Sequence, residues 1–373
     1  MRIISVSVRS VRMPMSGGQR NARRTWTHKP MLFCFVTLEN GSVGVGEGWT
    51  SYASTNALRA TIDDDVAPLV LGRALDDTGD LNRLVRDSCV MSGRYGISAV
   101  ALSAVEMALW DLRAQAKGLP LWRFLGGESN HVPVYASGGL YGPTKTPDDL
   151  GQELRSYSEA GHTRVKLKVG GADHDEDVAR VAAARQAIGP DISLLVDAHY
   201  TLSEAEALRF AEAVAPYNVG WLEAPILPDD WKGHDRLAAA CPLPLCGNET
   251  LPWRTSFERL AEAGVDYLMP DVSACGGIAE TMAVGDIAKR HGKQLTLHSS
   301  SSAVLFLASL HVGAAHPATH SVEHHQMHTW FNETADISGD MVCGGSIALS
   351  DRPGLGIDAN RLMAALETQD ASN

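Results

Sequence analysis

No run of 18 apolar residues occurs anywhere in this chain, so no membrane-spanning helix is expected. The opening residues, MRIISVSVRSVRM, alternate and carry arginine where a secretion signal would carry an apolar core, so neither export nor anchoring is expected. Positive charge is in deficit. With 32 Lys and Arg against 44 Asp and Glu, the net charge of −12 argues against a nucleic-acid partner, which demands basic clusters. The six cysteines show no zinc-type spacing, and in 373 residues they read as reduced thiols of a cytoplasmic protein. Low-complexity segments are absent as well. Hydrophobic content of 45% and charged content of 20% fit a globular enzyme, and the length exceeds what one ordinary core serves, so two structural parts are expected.

The first part runs over residues 1–128 and reads as an α+β capping domain. Residues 2–12 and 31–39 alternate like antiparallel strands, and GSVGVGEGW follows Glu39-Asn40-Gly41 as a hairpin partner. Residues 97–117 carry apolar side chains at helical spacing, with Gly118 just beyond. From residue 132 the pattern becomes strict strand–helix alternation. Strands are predicted at 132–136, 163–169, 193–198, 219–224, 243–249, 265–271, 293–299 and 320–325. Helices are predicted at 148–160, 174–188, 203–216, 230–240, 254–263, 277–291 and 302–315. Eight strands alternating with helices specify an α/β fold of the TIM-barrel type over 129–343. The competing doubly wound sheet would want a glycine-rich phosphate turn after its first strand, and VPVYASGG lacks that spacing. The tail, 344–373, is expected to pack back on the cap.

In such a barrel the chemistry sits at the C-terminal ends of the strands. Asp197, Glu223 and Glu249 each close a strand unit, at equal steps of 26 residues. Three converging carboxylates repel one another by about 4 kcal/mol per pair at ~4 Å and an effective dielectric of ~20. Either they take up protons or a cation lies between them. Oxygen-only ligands favour Mg²⁺, with Mn²⁺ as the alternative. Lys166 and Lys168 stand two apart on one strand and face the interior together. They serve either as ion-pair partners of the acids or as a base, if mutual repulsion lowers a pKa toward roughly 7–8. Asp271 and His298 end consecutive strands, and a carboxylate there would fix the tautomer of the imidazole. Glu323 ends the last strand, either as a neutral donor to an anionic oxygen or as a salt-bridge partner.

These motifs resemble a known family. KLKVG, the triplet VDA, WLEAP and GNET, the run PDVSACGG and the later LTLHS are similar to the enolase superfamily, and the Lys-x-Lys strand with an Asp–His pair to its mandelate racemase subgroup. The stretch AVEMALWDLRAQAKGLPLWRFLGG resembles that family's junction of cap and barrel. The resemblance implies a modified (β/α)₇β barrel under an N-terminal cap, and Mg²⁺ held by Asp197, Glu223 and Glu249. It implies removal of a proton α to a carboxylate to give a metal-stabilised enediolate. Lys168 would be the base on one face and His298, oriented by Asp271, the acid or base on the other. Lys166 would help bind the carboxylate, and Glu323 would hydrogen-bond the enediolate. A homo-oligomer is expected by analogy alone.

Two departures bear on the substrate. His199 stands where many relatives have Asn, so it is expected to point inward, touching a substrate hydroxyl, acting as a second acid, or serving the structure. The sixth strand ends in Asp271 rather than the lysine of cycloisomerases and dipeptide epimerases. The cap loop GGQRNARRTWTHKP offers Arg20 and Arg24 as clamps for a second carboxylate or for hydroxyls, and GEGWTSYAST offers Trp49 and Tyr52 over the site. The resulting expectation is a Mg²⁺-dependent lyase that dehydrates an acid sugar, a small carboxylate substrate, to a 2-keto-3-deoxy acid. The alternatives are a racemase, epimerase or cycloisomerase using the same enediolate and, from a different class, a non-catalytic metal-binding barrel.

Overall fold

The structure, a computed structural model, describes residues 1–15, 17–50, 55–91, 93–337 and 341–370. The cap sheet has the order β1 (Ile3–Pro14), β2 (His28–Leu38), β3 (Val43–Gly48), all antiparallel. The β2–β3 hairpin turns at Asn40-Gly41, as its sequence predicts: Gly41 sits at φ 85°, in the left-handed region that glycine tolerates, and its N–H donates to the Leu38 carbonyl at 2.9 Å. Four helices follow: α1 (Thr55–Thr61), α2 (Leu81–Ser88), α3 (Ile97–Ala116) and α4 (Leu121–Phe124).

Alternation along β2 sorts its side chains between two cores. Leu32, Cys34 and Val36 join the cap's own cluster with α3, whereas Met31, Phe33 and Phe35 pack into the barrel's cluster. On β3 the face toward α3 is glycine, and that is why the helix lies so close. A Cβ built on Gly46 would stand 2.0 Å from the Ala104 carbonyl oxygen, and one on Gly44 would stand 2.2 Å from that of Ala108. Both obstacles are helix backbone, which cannot rotate away. Gly46→Ala is therefore expected to destabilise the fold by about 3 kcal/mol, read by urea unfolding. A loss below about 1 kcal/mol would show that α3 shifts freely.

The barrel strands are β4 (His131–Ser137), β5 (Arg164–Lys168), β6 (Ser193–Asp197), β7 (Val219–Glu223), β8 (Leu245–Gly247), β9 (Tyr267–Leu268), β10 (Gln294–Leu297) and β11 (Thr319–His325). All eight run parallel, and β11 pairs with β4 to close the ring. The helices between them are α5 (Pro147–Glu159), α6 (His174–Ile188), α7 (Glu204–Val214), α8 (Trp231–Ala240), α9 (Arg254–Ala263), α10 (Ile278–Arg290) and α11 (Ala303–Ala315). Strands β8 and β9 are shorter than the spans 243–249 and 265–271, because the ladder ends where the chain turns away over the site. Thr146 and Ser203 form capping boxes with Asp149 and Glu206, which fix the starts of α5 and α7. Inside the barrel, Tyr135, Leu195, Trp221 and Met269 pack into a closed floor.

Buried cap carboxylates join cap to barrel. Helix α10 begins at Gly277 without a side-chain cap of its own, and Glu106 of α3 accepts the Ile278 and Ala279 N–H groups at 2.7 and 3.0 Å. Glu47 of β3 likewise accepts the Ser302 hydroxyl at 2.6 Å and the Leu305 N–H at 3.0 Å at the start of α11. The tail first adds β12 (Val342–Cys343) and β13 (Ser346–Ala348), and β13 pairs antiparallel with the beginning of β4. It then meets the cap, where the Leu355 N–H donates to Asp111 at 2.8 Å, and ends in α12 (Ala359–Asp370). Among the described residues, no helix is long and apolar enough to cross a membrane.

Candidate active site

The RVKLK strand places Val165 and Leu167 in the core between strands and helices, so Lys166 and Lys168 project into the barrel. Registration does the rest. Lys168 pairs with Asp197 across β5–β6, and Asp197 with Glu223 across β6–β7, so these groups stand at one level. Glu249 follows β8 by two residues and is 3% exposed. Lys166 Nζ lies 2.7 and 2.9 Å from the two Glu223 oxygens, 3.0 Å from Glu323 Oε1 and 3.9 Å from Asp197. Its ammonium stands over the Tyr135 ring at 5.0 Å. Lys168 is paired with Asp197, and the Tyr200 hydroxyl donates to Glu249.

On the far side, His298 Nδ1 lies 2.5 Å from Asp271 Oδ2. The other Asp271 oxygen accepts the Ser273 N–H at 2.7 Å and its hydroxyl at 2.6 Å, so the carboxylate is fixed. His298 Nε2 stands 3.6 Å from Glu323, and Glu323 Oε2 also accepts the Ser299 N–H at 3.0 Å. Burial opposes the imidazolium, but Glu323 and Asp271 outweigh it and push the His298 pKa up to about 9. A pKa raised in this way favours the imidazolium, which is a proton donor.

The charge states bear on two alternatives that the sequence leaves open. For the lysines, the geometry shows the ion-pair role. Burial pushes the Lys168 pKa down, but the Asp197 carboxylate outweighs it and holds the ammonium above its ordinary value. Lys166 is raised further, burial being outweighed by Glu223 and Glu323. Of the two roles open to Glu323, the salt bridge prevails: against its own burial, Lys166 and His298 hold its carboxyl well below the ordinary range.

Among the barrel's own groups, five acids (Asp197, Glu223, Glu249, Asp271 and Glu323) stand with three bases (Lys166, Lys168 and His298), a surplus of two acidic groups. The strain shows on Glu223, whose pKa is pushed up to about 8 by burial and by Asp197 despite the lysines. An all-oxygen acid set with that surplus fits a hard divalent cation, and Asp197, Glu223 and Glu249 are the residues that could hold one. Among the described residues no three His, Cys, Asp or Glu side chains already converge in a metal-ligand arrangement. Asp197 is turned to Lys168, Glu223 to Lys166 and Glu249 to Tyr200.

The remaining expected contacts divide. His199 lies beyond the end of β6, at φ 45°, so strand alternation does not place it. Its ring nevertheless reaches the acids, with Nδ1 3.6 Å from Glu249 Oε1. Trp49 meets the His298 ring edge-on at 6.4 Å, and its backbone N–H donates to the Ser273 carbonyl at 3.2 Å. Arg20 lies over the Tyr141 ring at 4.5 Å and donates to the Gly171 carbonyl at 2.9 Å, so its guanidinium pins the cap loop to the loop after β5. Arg24 is exposed, with its N–H on Asn21 at 2.8 Å. Arg23 of this loop also reaches the site, where its guanidinium bonds the carbonyls of His199 and Tyr200. Tyr52 lies outside the described residues. Sequence reasoning misses Tyr200 and also Trp221, whose indole N–H donates to Glu223 Oε2 at 3.2 Å. The Trp221 contact is open to strand alternation, since Trp221 and Glu223 are two apart on β7.

Residues 3–126 match the N-terminal domain of the mandelate racemase and muconate lactonizing enzymes, and residues 149–363 match the enolase C-terminal domain-like family. The chain belongs to the enolase superfamily. It falls in the mandelate racemase/muconate lactonizing enzyme subgroup of that superfamily. It is 30% identical over 326 residues to the arabinonate dehydratase of Saccharolobus solfataricus, covering 86% of each chain. It is 31% identical over 340 residues to the 3,6-anhydro-alpha-L-galactonate cycloisomerase of Streptomyces coelicolor, covering 89% of this chain and 91% of that one. Among solved structures, a magnesium-bound racemase from Streptomyces coelicolor superposes with a TM-score of 0.89 at 27% identity, covering 98% of this chain and 99% of that one. The superfamily thus supplies relatives that dehydrate acid sugars and relatives that cycloisomerise them.

Proposed function

We propose that this enzyme removes the proton α to the carboxylate of an acid sugar and expels the β-hydroxyl as water, with Mg²⁺ held by Asp197, Glu223 and Glu249. The observation that carries the reading is the opposition of two proton-handling groups across one set of acids. Lys168 on β5 and His298 after β10 are separated by β4 and β11, with Lys166 and Glu323 bridging the gap at 3.0 Å. When bound, the cation supplies Lewis-acid stabilisation of carboxylate charge and takes up the Asp197 charge that otherwise keeps Lys168 protonated.

The chain's own groups then divide the work. Lys168, as the free amine, takes the C2 proton. The electron pair left on C2 spreads into the carboxylate to give an enediolate, and Lys166 stands beside it as a fixed positive charge. His298, an imidazolium held in orientation by Asp271, gives a proton to the C3 hydroxyl as the C3–O bond breaks. Water leaves, and the resulting enol tautomerises to a 2-keto-3-deoxy acid. His199, beside Glu249, stands ready to contact a substrate hydroxyl.

The cycloisomerase relative favours one second reading, in which the same proton abstraction ends in isomerisation. A panel of mono- and diacid sugars in D₂O with Mg²⁺ separates the two. Keto-acid formation supports dehydration. Deuterium at C2 of recovered or isomerised sugar, with no keto acid, overturns it in favour of isomerisation. With neither signal from any compound in the panel, the proton-abstraction reading falls.

A further inference from the structure

Four lysine and arginine side chains are buried among the described residues: Lys29, Lys166, Lys168 and Arg180. Lys166 and Lys168 serve the reacting end, and Arg180 lies on Tyr141 at 4.0 Å. Lys29 has no part in the mechanism above. It comes from β2 of the cap and is 2% exposed. Its position follows from alternation. Met31, Phe33 and Phe35 face the barrel, and Lys29 extends that row by one step toward the barrel mouth. Glu47, opposite Phe33 in the ladder, faces the same way and bonds the start of α11, while Trp49, two residues on, touches His298. The end of the cap sheet therefore lies over the β10–β11 side of the site, across from the β6–β8 acids.

Burying an ammonium there costs several kcal/mol unless negative charge meets it. Burial draws the Lys29 pKa down to about 8, against the pull of Glu47, Asp271 and Glu323. The barrel answers with His325, two residues beyond Glu323 on β11 and so on the same inward face. His325 Nδ1 accepts the Met327 N–H at 3.3 Å, so the neutral ring carries its proton on Nε2 as a donor. The ring stacks on His328 at 3.7 Å and 7°, which holds its plane. Burial, with Lys168 and Lys29 close by, keeps His325 neutral despite Glu323.

We propose that Lys29, with His325 beside it, forms a subsite for the far carboxylate of a six-carbon sugar diacid whose near carboxylate lies at the acid cluster. This rests on the acid-sugar reading above and narrows it from sugar acids in general to aldarates. A fixed cation and a neutral N–H donor suit a carboxylate, where a terminal hydroxymethyl group would leave the ammonium without a new partner.

Calorimetry in the Lys168→Ala background, with Mg²⁺ present, tests the subsite apart from turnover. The probes are galactarate and glucarate and the matching monoacids galactonate and gluconate. At least one diacid should bind about tenfold or more tighter than its monoacid, and adding Lys29→Met should remove that margin. His325→Leu should remove about half of it on a logarithmic scale and stands in if Lys29→Met fails to fold. Absence of a diacid margin overturns the inference. So does equal loss for both classes, the outcome of an ion pair that merely docks the cap on Glu47. Diacid-selective binding without keto acid from the wild-type enzyme would retain the subsite and remove dehydration.

Discussion

Lys168→Ala is expected to lower kcat by roughly 10³- to 10⁴-fold while leaving the protein folded. Lys168 is the amine assigned to the C2 proton, and general-base groups account for about that factor. Among the described acids its side chain is ion-paired with Asp197, so alanine leaves the floor of Tyr135 and Trp221 intact. The decisive readout is exchange of the C2 proton with solvent deuterium, which should fall with kcat. Full turnover by the alanine variant would end the assignment and revive a barrel that binds metal without this chemistry.

Asp271→Asn is the second large effect, roughly 10²- to 10⁴-fold in kcat. Asp271 does two things to His298. Its carboxylate accepts the Nδ1 proton, which leaves Nε2 as the proton-donating atom, and its charge helps raise the imidazole pKa to about 9. An acid of that pKa is protonated below about 9 and lost above it, so wild-type kcat should decline on the alkaline side near 9. Removing a raising influence moves that decline to lower pH, by about one unit. A pH–rate profile of the Asn variant checks the direction. An alkaline decline left in place, or moved upward, would mean that another group donates the proton.

The barrel is largely legible in the amino-acid pattern. Helices α6 and α9 run over the residues that periodicity marks, because their apolar spacing and flanking breakers agree locally. The acids and lysines of the candidate site are legible for the same reason, since barrel topology converts a strand-end position into a position in the site. What stays hidden depends on tertiary contact. The Tyr200 hydroxyl meets Glu249 across 49 residues of chain, and Arg23 crosses from the cap loop to the turn after β6. Arginine composition draws attention to that loop, but which arginines reach the site depends on how the loop folds back over Tyr141. Lys29 escapes because clear alternation begins only at residue 31, two residues too late to include it in the barrel-facing row. The protonation of Lys168 and Glu323 is not legible either, because it depends on which opposite charges the fold sets against each of them, Asp197 against Lys168, and Lys166 with His298 against Glu323.

The central claim is that Asp197, Glu223 and Glu249 share one divalent cation beside the Lys168 amine. Titration with Mn²⁺, following the free ion by electron paramagnetic resonance, tests it without any substrate. The account predicts one Mn²⁺ per chain, loss of at least about 100-fold in affinity for each of Asp197→Asn, Glu223→Gln and Glu249→Gln, and binding at least as tight in Lys168→Ala, where Asp197 is released from its ion pair. No bound Mn²⁺ in the wild type, or affinity unchanged in all three acid variants, would contradict it.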